Sequence, residues 1–217
     1  MALARSLHFY SSLHLHRSSS AIVLPKQPPK FSKFTNFPPV HHHSLLLLSC
    51  VSSSLSMESS PEGYRRNVGI CLLNPSKKIF AASRLDIPDS WQMPQGGIDA
   101  DEDPKSAALR ELKEETGVSS AEVIAEVPHW LTYDFPPDVR EKLKRQWGSD
   151  WKGQAQKWYL LKFNGTEEEI NLLGDGTEKP EFGAWSWMSP EQLLENVVDF
   201  KKPVYKEVME VFSPHLH

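Results

Sequence analysis

Acidic residues are missing from the start of this 217-residue chain: no Asp or Glu precedes Glu58, although Arg5, Arg17, Lys26, Lys30 and Lys33 are basic and serine is abundant. Long apolar runs are missing too. Leu45 to Leu48 is the longest unbroken stretch of large aliphatics, far below the roughly 20 residues of a spanning helix, so no membrane contact is expected. A secretory signal needs one compact apolar core, which Ser11, Ser12, His14, His16 and Arg17 interrupt. Residues 1–56 therefore read as a disordered organelle transit peptide, and their richness in Ser and Pro with little Arg points to the chloroplast. Met57 offers an internal start that would give a cytosolic form.

Cysteine is nearly absent from the body of the chain. Of the two in the sequence, residues 57–217 keep only Cys71, and His129, His215 and His217 are scattered. An internal disulfide and a cysteine-based zinc site are thereby excluded, and any metal must be held by oxygen. The whole chain carries −4 and the leader five positive charges, which leaves −9 on residues 57–217. An acidic body lacks the basic footprint that bulk nucleic-acid binding requires.

The apolar stretch Asn67 to Leu73, the turn-prone Asn74-Pro75-Ser76 and the resumed pattern from Lys78 to Ala82 predict a hairpin. Ala121 to Val127, Lys157 to Phe163 and Phe182 to Met188 are further strands. Pro104 to Thr116 reads as a helix with Asp103 as N-cap, Pro104 at its first position and Gly117 beyond its end. Ser189-Pro190-Glu191-Gln192 is a capping box opening a second helix. Val204, Val208 and Val211 repeat at helical spacing in a last one. The mixture predicts a layered α/β fold with helices packed on the faces of a sheet.

At about 100° per residue, Glu111, Glu114 and Glu115 share one face of the first helix, while Leu109 and Leu112 form the side expected to pack on the sheet. Like charges at these spacings repel, and Glu114 and Glu115 stand at the negative end of the helix dipole with no evident local compensation. A solvated acidic face is one reading. The other is a bound hard cation, which favours carboxylate oxygen. Ala107 and Ala108 either let a phosphate chain approach or simply favour helix.

Gly96, Glu102, Arg110, Glu111, Leu112, Glu114, Glu115, Gly117 and Val118 fit the pattern G-x₅-E-x₇-R-E-U-x-E-E-x-G-U, where U is a bulky aliphatic. With each fixed residue near 5–7% of average usage, the seven fixed positions coincide by chance roughly once in 10⁸ to 10⁹ starting points. This resembles the box of the Nudix hydrolase family. The segments Gly63 to Gly69, Trp91 to Gly97, Gly153 to Trp158 and Phe200 to Tyr205 resemble the subgroup holding plant asymmetrical dinucleoside tetraphosphate hydrolases and bacterial RNA pyrophosphohydrolases, most of all the plant chloroplast members. Asp101 stands where many of these have Gly.

The resemblance implies a Nudix domain over 57–217, an α/β/α sandwich with a mixed β-sheet between helices. It also implies Mg²⁺, or Mn²⁺, held by Glu111, Glu114, Glu115 and Glu181. Glu114 or Glu115 would serve as general base, and Arg110 and Glu102 would brace loop and helix. Arg65, Arg84 and Lys157 would contact the phosphate chain, and Tyr133 and Phe200 phosphate or nucleobase. Trp185 and Trp187 read as core, and Arg140, Lys142, Lys144 and Arg145 as a solvated helix face that could guide RNA. Three functions stay open: hydrolysis of a nucleoside polyphosphate such as diadenosine tetra- or pentaphosphate, removal of pyrophosphate from an RNA 5′ end, and nucleotide sensing without turnover. Oligomeric state is not legible.

Residues 1–56 fused to a fluorescent reporter are expected to carry it into plastids; a reporter that stays cytosolic or enters mitochondria alone would refute the leader assignment.

Overall fold

The computed structural model describes residues 59–216, apart from 88, 174, 175, 177 and 178; the predicted leader lies outside them. Two long strands set the frame. Strand β1 (Tyr64–Leu73) and strand β7 (Gly153–Phe163) run parallel from Tyr64↔Gly153 to Leu73↔Lys162. Both alternate between two apolar layers: Val68, Ile70 and Leu72 face one core with Tyr159, Leu161 and Phe163, whereas Cys71 and Leu73 face the other with Trp158 and Leu160. Burial on both sides explains why β1 reads as a continuous apolar run.

Strand β2 (Ile79–Arg84) pairs antiparallel with β1 across the predicted hairpin, closed by Lys77 N–H to Asn74 O at 3.0 Å. Strand β8 (Phe182–Met188) and the two-residue β3 (Trp91–Gln92) add to β2. Strands β5 (Ala121–Glu126) and β6 (Leu131–Asp134) lie antiparallel on β7. The short β4 (Gln95–Gly97) pairs with β1 through Asn67↔Gly97 and Gly69↔Gln95. The sheet is therefore mixed.

Helix α1 (Pro104–Thr116) covers one core with Ala107, Ala108 and Leu112. Its limits are as predicted: Asp103 Oδ2 accepts from the Ser106 N–H at 3.0 Å, and Gly117 ends it at φ 73°, a left-handed conformation that glycine adopts without strain. The other face carries helices α2 (Pro137–Trp147), α3 (Pro190–Asn196) and α4 (Lys202–Leu216), which contribute Val139, Leu143, Leu193, Val204, Val208 and Phe212. The capping box at Ser189 is formed in both directions. This is the expected α/β/α sandwich. No helix among the described residues is long and apolar enough to cross a membrane.

Two expectations for α1 are corrected. Leu109 does not pack on the sheet; it is 40% exposed, because burial centres on Ala107, Ala108, Glu111 and Leu112 and turns Leu109 outward. Ala107 and Ala108 leave no room for phosphate, since both are fully buried against the strands. Small residues here let the helix lie close to the sheet. Trp185 and Trp187 are half-buried, not enclosed, and pack on Phe80 with centroids 5.9 and 5.7 Å away.

Asp103→Ala removes the N-cap acceptor of α1 and is expected to cost about 0.5–2 kcal/mol of stability, read from denaturant unfolding; an unchanged midpoint would show that the cap contributes nothing.

Candidate active site

Strand β4, the turn after it and α1 are tied together by one side chain. Arg110 uses all five of its N–H groups. Nε and Nη2 hold the two oxygens of Glu102 at 2.9 and 2.8 Å, Nη2 reaches the Gly97 carbonyl at 2.8 Å, and Nη1 donates to Glu111 at 3.0 Å and Glu114 at 2.8 Å. Glu102 also accepts from the Asp99 N–H at 3.0 Å. Within this turn Asp101 has φ 63°, a left-handed conformation in which glycine is the unstrained residue; Asp tolerates it better than most. The expectation that Glu114 lacks a local counter-charge is corrected, because Arg110 sits one turn earlier on the same face.

Gly96 is required by close approach. A Cβ there would overlap the Glu111 carboxylate, which lies directly on the strand and is only 9% exposed. Burial pushes the Glu111 carboxyl up to about 7 despite Arg110, with Glu114 and Glu181 adding repulsion. Glu115 accepts from the Gln95 N–H at 3.0 Å. Burial first, then Glu181 and Glu111, drives its proton affinity well above the usual carboxylate range. Glu181, in the segment before β8, is likewise raised by burial to about 7, against the pull of Arg84. The structure thus brings Glu111, Glu115 and Glu181 into mutual repulsion, with Glu114 turned to Arg110.

Cations face these acids. Arg84, buried at the end of β2, donates to Asp86 at 2.7 Å and to Gln92 Oε1 at 2.9 Å. Burial lowers the Arg65 guanidinium, and Glu111, Tyr133 and Glu181 oppose the shift. Lys157 is not brought to this group: its ammonium donates to the Pro128 carbonyl at 2.9 Å and lies 5.6 Å over Trp130. It shares the face of β7 that carries Tyr159, whereas Gln156 and Trp158 show the alternate pattern. Tyr133 is a core aromatic, 6% exposed, whose hydroxyl donates to Gln154 at 2.6 Å. Phe200 packs 5.7 Å from it and keeps partial exposure. Arg140 and Lys144 pair with Asp150, and Arg145 with Glu141, on the exposed side of α2.

Sequence reasoning missed a buried belt of amides and one lysine. Asn67, Gln92, Gln95, Gln154 and Gln156 are all buried polar residues. Gln156 Nε2 donates to Asn67 at 2.7 Å, and Trp158 Nε1 to Gln156 at 3.1 Å. Lys201, 2% exposed, donates to Gln92 and Gln95 at 2.9 and 3.0 Å and lies 5.7 Å from the Tyr133 ring centre. Burial, then Arg84, lowers its ammonium to about 7. The legible signal was the period-two run Gln154, Gln156, Trp158.

Comparison with known proteins places the chain in a family. Residues 63–208 match the NUDIX domain. Nudix hydrolase 26, chloroplastic, of Arabidopsis thaliana is 66% identical over 95% of this chain and 98% of its own; Nudix hydrolase 27, chloroplastic, of the same plant is 57% identical over 94% and 88%. An RNA pyrophosphohydrolase of Cereibacter sphaeroides is 49% identical over 70% and 93%. Among solved structures, a C. elegans Ap4A hydrolase complex shares the fold with TM-score 0.51 and 17% identity, covering 69% of this chain and 98% of that one. The fold is a mixed β-sheet between helices, as in its Nudix neighbours. The chain belongs to the Nudix hydrolase family.

Nudix hydrolases use divalent cations. Among the described residues no three acidic, histidine or cysteine side chains stand in a ready-made metal cage, and Arg110 takes oxygens of Glu111 and Glu114. The donor chemistry nevertheless fits: the ligands on offer are all oxygen, and the cost of burying three repelling carboxylates is one that a cation offsets.

A carboxyl raised on folding binds more protons in the native state than in the unfolded one, so stability falls as pH rises between the two values. Without metal, thermal stability is expected to fall from pH 4.5 toward 7 as Glu111 and Glu181 ionise. Adding Mg²⁺ at pH 7.5 should raise Tm by at least about 2–4 °C, the response to 1 kcal/mol in a domain of this size. Equal melting curves with and without cation across this range would remove the acid group as a cation site.

Proposed function

We propose that this chain is a Mg²⁺-dependent hydrolase of dinucleoside polyphosphates that cuts diadenosine tetra- and pentaphosphate asymmetrically in the chloroplast. The observation that carries the reading is the meeting of three sets of groups: Glu111, Glu115 and Glu181 repel one another beside α1, Arg84 and Lys201 meet on Gln92, and Tyr133 pairs with the partly exposed Phe200 beside Lys201.

Glu111, Glu115 and Glu181 would hold the cation, with Glu114 available as a further oxygen ligand. When bound, Mg²⁺ offsets polyphosphate charge, polarises the attacked phosphorus and lowers the pKa of water. Arg110 fixes the helix against the turn and keeps Glu114 oriented. Glu114 or Glu115, whichever keeps an oxygen free of the cation, would accept the proton of the attacking water. Arg84, Arg65 and Lys201 supply positive charge for the phosphate chain. Phe200, partly exposed beside the buried Tyr133, offers a ring on which one adenine can stack. The two chloroplastic relatives and the acid-free leader support the location.

A second reading, removal of pyrophosphate from triphosphorylated RNA, is favoured by the bacterial relative whose name states that activity and which is 49% identical over 93% of its length. The exposed cations of α2 fit an RNA tail, whereas the charge of the body fits a small molecule better.

If one adenosine is fixed on Phe200 while the acid group holds the metal, the attacked phosphorus is set by the distance between them and not by the midpoint of the chain. Hydrolysis in ¹⁸O-water is expected to give ATP plus AMP from the tetraphosphate and ATP plus ADP from the pentaphosphate, with label in a single product. Two ADP from the tetraphosphate would overturn the ruler. No turnover of either dinucleotide beside rapid pyrophosphate release from triphosphorylated RNA would establish the second reading.

A further inference from the structure

Gln92 is a buried amide between two buried cations. Its single carbonyl oxygen accepts from Arg84 Nη1 and from Lys201 Nζ, both at 2.9 Å. Two cationic donors on one atom fix the amide's orientation, since a rotated amide would turn N–H groups toward both. The nitrogen is therefore committed to another direction, and there it has no partner: Gln92 is 1% exposed and its Nε2 is unsatisfied among the described residues. Ser90 Oγ and Asp86 Oδ2, in the loop that leads into the same strand, also lack partners. Leaving a buried donor unmade is destabilising, and Arg84, although paired with Asp86, still repels the Lys201 ammonium that shares its acceptor. A group carrying several anionic oxygens removes both costs.

We propose that Gln92 is a substrate-binding residue that presents Arg84 and Lys201 as a pair to the polyphosphate and donates its own Nε2–H to a phosphate oxygen. This deepens the hydrolase reading above and rests on it. A carbonyl oxygen gathers the two cations without adding a charge of its own, which a carboxylate at the same place would do; Arg84 keeps Asp86 as its counter-ion at 2.7 Å. The amide nitrogen adds a donor that tells a phosphate oxygen from a cationic or donor-only group. Arg84 was assigned to the phosphate chain from the family resemblance; the structure adds the amide that couples it to Lys201.

The test uses Gln92→Glu, which keeps the shape and both acceptor contacts but replaces the donor with a second anionic oxygen. A structural cluster in which Gln92, Arg84 and Lys201 all stay off the phosphate chain predicts unchanged binding and equal or higher Tm, because a carboxylate satisfies two cations better than an amide. The substrate role predicts a split: Tm at least that of the wild type, with Kd for methylene-bridged diadenosine tetraphosphate, measured by calorimetry with Mg²⁺, weakened at least tenfold. Gln92→Met, read against the same probe, carries the test if the Glu variant does not fold; it too should bind at least tenfold more weakly. Wild-type binding with unchanged affinity in the variant overturns the role of Gln92 alone. A wild type that binds neither this analogue nor a triphosphorylated RNA overturns the polyphosphate reading itself.

Discussion

Everything at this site depends on the five-donor grip of Arg110. A helix laid over a sheet by Ala107, Ala108 and Leu112 would sit there through apolar contact alone, but contact of that kind is non-directional and would not fix which oxygen faces which. The guanidinium is a planar fork with fixed N–H directions, so satisfying Glu102, Gly97 O, Glu111 and Glu114 together admits very few arrangements of turn and helix. A lysine has three donors on one point and could not span them. The site is specified by polar geometry laid over an apolar base.

That grip has an electrostatic consequence. Arg110 compensates Glu102 and Glu114 and part of Glu111, yet Glu111 still has its proton affinity raised, as do Glu115 and Glu181. Their cause is the same: burial next to one another beside strand β4, where Gly96 removes the side chain that would otherwise hold Glu111 away. Arg84, Arg65 and Lys201 pull on Glu115 and Glu181 from the other side, but not enough to offset their burial. The imbalance is local, and it is where a divalent cation has most to gain.

The sequence made some parts legible and hid others for physical reasons. Helix α1 could be read to the residue because its ends are chemical signals: Asp103 caps, Pro104 starts and Gly117 turns. Strands β1, β7 and β8 announced themselves by apolar content, whereas β3 and β4 are two and three residues long and exist only because β2 and β1 offer them an edge. Acids four residues apart are visible on a helical wheel; Glu181 needed the family resemblance, since nothing local in Pro180-Glu181 marks it. Lys157 follows from strand parity, which carries its ammonium to the Pro128 carbonyl and the Trp130 ring. Leu109 failed because hydrophobicity alone could not say that the small alanines, and not the leucine, form the close contact.

The amide belt was the least legible feature and explains how opposite charges coexist here. Glu115 and Glu181 are close enough to Lys201 and Arg84 to shift their proton affinities, yet the Lys201 ammonium meets the side-chain oxygens of Gln92 and Gln95. Amides intervene instead. Gln95 gives its backbone N–H to Glu115 and its side-chain oxygen to Lys201, so one neutral residue faces an acid on one side and a base on the other. Each amide has a donor end and an acceptor end, which lets a buried row of them satisfy hydrogen bonding without adding net charge. Charged residues in those places would collapse into pairs, and apolar ones would leave buried charges unsatisfied at several kcal/mol each. Gln95 thus stands between Glu115 and Lys201, and Gln92 between Lys201 and Arg84, without adding charge to either side.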